Sequence, residues 1–134
     1  MAAEGLISQQ SHYEPKETMA RLESAVSRRG LTIFARVDHA DGAAQVDQSL
    51  RPTDLLIFGN AKGGTPVMRA AQTAGIDLPL KALVWQDANG ITWLSYNDPA
   101  WIAARHAASP EANAAIEAMT KLLQGIAAEV VSGK

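Results

Sequence analysis

Lys62 stands in the middle of Gly59-Asn60-Ala61-Lys62-Gly63-Gly64-Thr65-Pro66, a cation among three glycines ahead of a helix-starting pair. Glycines let the backbone amides of such a stretch approach a ligand where side chains would clash. Thr65 can accept a hydrogen bond from an early helical N–H, and Pro66 has no N–H to leave unpaired. Converging amides, the positive end of a helix dipole and the Lys62 ammonium together favour a carboxylate or a phosphate. Gly59, Asn60, Lys62, Gly63, Gly64 and Thr65 are therefore candidate ligand-binding residues, although the same stretch also serves simply to join a strand to a helix. Spacing excludes two nucleotide loops. A Walker A loop needs Lys directly after Gly64, where this chain has Thr65, and Gly59, Gly63 and Gly64 do not give Gly-x-Gly-x-x-Gly.

Other residues carry usable chemistry. Lys81, at a strand start behind Pro79, would suit carbonyl or proton chemistry if a dry pocket lowered its proton affinity; the bland alternative is an exposed amine. His39, in a turn between Asp38 and Asp41, is a proton-transfer candidate because imidazole exchanges a proton near neutral pH, and a turn hydrogen bond explains it equally. Tyr96 and Asn97 would offer an O–H and an amide to the same ligand, and with His39 and Lys81 they complete the candidate ligand-binding residues, while a strand-end Tyr also packs its ring locally. No catalytic residue is assigned. His12, His39 and His106 lie far apart without ligand spacing, so no metal is expected, and no cofactor is implied. The absence of cysteine excludes thiol catalysis, disulfides and cysteine-ligated metal sites. No serine occupies a Gly-x-Ser-x-Gly elbow.

The elements that must hold these groups follow from apolar periodicity. Residues 6–11 read as a first strand, and Pro15 opens a helix whose Met19, Leu22, Ala25 and Val26 recur at helical spacing until Gly30. Residues 31–37 read as a second strand, residues 38–42 as a turn and residues 43–49 as a short helix. The apolar run Leu55-Leu56-Ile57-Phe58 is a buried strand, followed by the glycine-rich turn and a helix over residues 66–74 that Gly75 ends. Residues 81–87 and 91–97 form a hairpin around Asn89-Gly90. A two-residue loop there opposes Trp85 to Leu94, and a three-residue loop opposes Trp85 to Trp93. A short helix follows over residues 99–106, then a long one over residues 110–131 with Ile116, Met119, Leu122, Leu123, Ile126 and Val130 on one stripe. This order predicts a single α+β domain over residues 1–134, with a largely antiparallel sheet packed against helices. The hairpin directs large apolar groups to both sides of the sheet, and one helical layer covers only one side. A homodimer through the sheet or hairpin surface is therefore expected.

The chain has 134 residues, enough for one real core, and a formal charge of −2 with its charges interspersed. That pattern argues against a nucleic-acid partner and against electrostatic membrane anchoring. The first ten residues lack the pattern of a signal peptide, and no apolar run approaches the roughly 20 residues that cross a bilayer, so a cytoplasmic location is expected.

Asp38-His39, Leu50-Arg51-Pro52, Leu56-Ile57-Phe58-Gly59-Asn60, Gly64-Thr65-Pro66-Val67-Met68, Asp77-Leu78-Pro79-Leu80-Lys81, Trp85 and Tyr96-Asn97-Asp98-Pro99 occur in an order that resembles the bacterial domain of unknown function family 302. The resemblance covers about residues 8–106. It implies a compact α+β domain similar in topology to the TATA-binding-protein class and commonly dimeric, with no established reaction. DNA binding is not implied, since function lives in the site and not in the fold. The family pattern has Pro where this chain has Ala61, which predicts a looser turn. The expectation is a small homodimeric domain that binds a small anionic or polar molecule at the glycine-rich turn. The alternatives are an enzyme in which Lys81 or His39 transfers a proton, and a purely structural interaction module.

Overall fold

The computed structural model describes residues 3–132. Strand β1 (Leu6–Gln10) leads to helix α1 (Pro15–Arg28), then β2 (Thr32–Asp38), α2 (His39–Gln45), β3 (Thr53–Gly59) and α3 (Ala61–Ala70). A 3-10 turn (Gln72–Ile76) precedes β4 (Leu80–Gln86), β5 (Thr92–Asn97) and α4 (Pro99–Arg105), and a second (Pro110–Ala112) precedes α5 (Asn113–Ser132). The strands form one sheet in the order β1-β5-β4-β3-β2, antiparallel at every pairing. The expected α+β class with an antiparallel sheet is thus what the chain adopts.

Residue parity along the strands divides the sheet into two unlike faces. Leu56, Phe58, Ala82, Val84, Leu94 and Tyr96 join Met19, Leu22 and Val26 of α1 and Leu123, Ile126 and Val130 of α5 in one buried core. The alternating residues Leu55, Ile57, Leu83, Trp85 and Trp93 lie outside that core and are half-buried. The register sets Trp85 against Trp93, stacked with ring centroids 6.2 Å apart, which is the three-residue loop alternative. The loop is held from within: the Asp87 carboxylate accepts from the amides of Asn89 and Ile91 and from Trp93 Nε1.

Helices α2 and α3 depart from the sequence reading. The short helix after β2 begins at His39 instead of residue 43, because the Asp38 side chain accepts from the Asp41 amide at 2.9 Å and caps it. The helix after β3 begins at Ala61 instead of Pro66, and Asn60 is its cap: Asn60 Oδ1 accepts from the Gly63 amide at 2.6 Å. Gly63-Gly64-Thr65 are therefore helical residues. The helix also ends sooner, at Ala70, and Gly75 falls in the 3-10 turn that follows.

Candidate functional site

The first turn of α3 forms one wall of a groove of about 910 Å³. Ala114, Ala115, Ala118, Met119 and Leu122 of α5 make the facing wall, and the floor is Leu78, Pro79 and Leu80. Leu31 and Phe34 close the side nearest β2. The wall on α3 stays low because it is made of Gly63, Gly64 and Pro66. A Cβ at Gly63 would come within 3.1 Å of Asn60 Oδ1, so a side chain there would crowd the cap, whereas one at Gly64 would meet Met68 and Leu78 at ordinary contact distance. Gly59 ends β3 with φ +151, a conformation that side chains resist. Three charged groups line the otherwise apolar groove: Arg29, Lys62 and Glu111. Arg29 is paired with Glu129 at 3.1 Å, and Lys62 makes no ion pair among the described residues.

The groove gathers Gly59, Asn60, Lys62, Gly63 and Gly64 from the sequence-derived candidates and leaves the others elsewhere. Thr65 is on α3, exposed and outside the lining. His39 opens α2, exposed, beside a second, polar recess whose Arg36 is held by Asp54 and Glu23. Tyr96 is buried among the core residues, and burial pushes its hydroxyl pKa up, with the Asp98 charge adding to it. Lys81 and Asn97 alternate onto the face of the sheet away from the helices, so they do not converge with Tyr96. The Lys81 ammonium donates to the carbonyls of Pro79 at 2.9 Å and Asp77 at 3.2 Å. Burial pulls its pKa below the usual lysine value, and the Asp77 carboxylate opposes that pull.

A further cluster lies beneath Lys81. His106 Nε2 meets Asp77 Oδ2 at 2.5 Å while its Nδ1 meets Thr73 Oγ1 at 2.8 Å, and Arg105 Nη1 donates to both Asp77 carboxylate oxygens. Burial raises the Asp77 carboxyl, and the hydrogen bonds and charges of His106 and Arg105 outweigh it, leaving the group below the usual carboxylate range. The cluster ties the 3-10 turn after α3 to the end of α4 and opens into neither recess. Nothing in the spacing of Thr73, Asp77, Arg105 and His106 marks them as neighbours.

The family model for Domain of unknown function DUF302 matches residues 7–126, nearly the whole sheet and both walls of the groove. The chain belongs to the DUF302 family. A DUF302 protein of known crystal structure, an uncharacterized conserved protein from Bacillus stearothermophilus, shares the fold with a TM-score of 0.83 at 19% identity, over 96% of this chain and 99% of that one. Among curated proteins, Fluoride-specific ion channel FluC 1 of Brucella suis is 43% identical over 115 residues, which is 86% of this chain and 45% of the Brucella protein. Fluoride-specific ion channel FluC 2 of Brucella melitensis is also 43% identical over 115 residues, with 43% of its length covered. This DUF302 chain thus spans less than half of those curated relatives. Among the described residues no helix is long and apolar enough to cross a membrane. Ala61, where the family pattern has Pro, is the first residue of α3, a position that Pro also accommodates; the turn is a capped helix start in place of the looser turn expected.

Proposed function

We propose that this DUF302 domain is a cytoplasmic homodimer that binds a small molecule in the groove between α3 and α5, with an apolar portion of the ligand on the alanine wall and an anionic end at Lys62. The observation that carries this reading is the groove itself: about 910 Å³, apolar over most of its lining, with the glycine-rich turn on its rim. Lys81 and His39 do not line it, so binding is favoured over proton transfer by either residue. Anilinonaphthalene sulfonate, apolar with one anionic group, is a suitable probe. The folded chain is expected to enhance its fluorescence, and Gly64→Leu, which projects toward Met68 and Leu78, is expected to abolish the enhancement without unfolding. Equal dye binding by both proteins, or by neither, overturns the reading.

The homodimer is supported by the sheet face turned away from the helices, where Leu83, Trp85 and Trp93 lie half-buried outside the core. A second reading is favoured by the Brucella similarity: a DUF302 domain that works beside an ion channel. The portion of those proteins outside the 115 matched residues has room for the membrane-spanning part. The test is fluoride efflux from liposomes holding the Brucella protein with and without its DUF302-like portion; unchanged rates and fluoride dependence would remove this reading.

A further inference from the structure

We propose that the groove takes an unbranched alkyl carboxylate of medium length, its chain along α5 and its carboxylate at Lys62. The inference rests on the groove being a binding site and adds the class of ligand. Three features of the groove carry it.

The first is the shape of the wall. Ala114, Ala115 and Ala118 place only methyl groups along the facing helix, and Met119 and Leu122 continue the apolar surface. Small residues in sequence along a helix leave a trough that admits a thin chain. The alanines at these positions make the wall even along its length.

The second is length. From Ala114 to Leu122 the helix advances about 12 Å, which matches an extended alkyl chain of roughly eight to ten carbons. A butyl chain would leave half of the apolar wall uncovered. A chain of sixteen carbons would run past the Ala114 end into solvent.

The third is the distribution of charge. Arg29 marks the Leu122 end, since its guanidinium lies 3.8 Å from where a Cβ on Gly125 would stand. Gly59 pairs with Thr32, so α3, which carries Lys62 in its first turn, begins at the end of β2 that follows Arg29, and both residues line the groove. Glu111, in the turn before α5, stands at the opposite end. Arg29 is engaged by Glu129, which leaves Lys62 as the unpaired cation at that end among the described residues and Glu111 as the charge at the other, so a single-headed acid has one favoured orientation: carboxylate toward Lys62, methyl terminus toward Ala114, and away from Glu111 any second negative charge. An alkyl dicarboxylate is disfavoured for that reason.

The experiment is titration calorimetry on the full chain with sodium decanoate, sodium butyrate, decanol and sebacate, repeated on Lys62→Gln, Ala118→Phe and Ala114→Phe. Both alanines are exposed on α5, so either larger side chain occupies the groove without entering the core. Decanoate is expected to bind at least tenfold more tightly than each of the other three. Lys62→Gln is expected to lower decanoate affinity to that of decanol, and both phenylalanine variants are expected to abolish binding while keeping the wild-type circular dichroism. If decanol binds as tightly as decanoate and Lys62→Gln changes nothing, the carboxylate assignment is overturned while the groove remains a binding site. If neither decanoate nor decanol binds, or if the phenylalanine variants bind as the wild type does, the groove reading falls with it.

Discussion

Asn60 decides what the glycines after it do. Its side chain accepts from the Gly63 amide, so one early N–H of α3 is satisfied internally and the glycines become a low helical wall in place of a free loop. Replacing Asn60 with Ala removes the cap, and urea denaturation should report a loss of about 1 kcal/mol. Asp77 is the other residue whose partners define it. Its folded-state pKa lies below the unfolded value, so it contributes stability that is present above the unfolded pKa and is lost as pH falls through the folded one. Asp77→Asn should therefore be less stable than the wild type by about 1 kcal/mol at neutral pH. That gap should close as the pH drops below about 4, a range that acid-denaturation curves of the two proteins cover. A gap that persists undiminished at pH 2 would assign the loss to packing and not to the charge.

At the scale of elements, the β4-β5 hairpin shows how one side chain sets a register. The Trp93 indole N–H is the largest influence holding the Asp87 carboxyl below its usual pKa, and the Ile91 and Asn89 amides add to it. Lowered pKa again means support that disappears in acid, so the hairpin should loosen as pH falls through the Asp87 titration. Asp87→Ala should lower the melting temperature at neutral pH and release the Trp93 indole, which a red shift of tryptophan emission would reveal. The register pairs Trp85 with Trp93 on the uncovered face and leaves Leu94 and Tyr96 for the helices. Helix α5 plays two parts in the same way. Leu123, Ile126 and Val130 bind it to the sheet, while Ala114 and Ala118 turn outward and form the groove wall.

At the scale of the molecule, the sheet is covered by helices on one side only, and burying the other side would remove Leu83, Trp85 and Trp93 from water. Leu83→Asp should therefore weaken self-association at least tenfold while leaving the fold intact, measured by sedimentation equilibrium; a wild-type chain that sediments as a monomer across the concentration range would remove the dimer. The sequence by itself determined the α+β class, the strand sequence, the helical core positions and the family, because apolar periodicity and turn residues act over a few neighbours and survive without tertiary context. Met19, Leu22 and Val26 were legible as one buried stripe for that reason. The membership of the site was not legible. Gly59, Asn60 and Lys62 came together with Ala118 and Leu122 only because α3 and α5 pack side by side, and Tyr96 parted from Lys81 and Asn97 because neighbouring strands dictate which face each residue takes. His106 reached Asp77 and Thr73 across about thirty residues by the same cause. Local spacing sets the elements; only their packing decides which side chains share a cavity, since that depends on contacts between residues far apart in the chain.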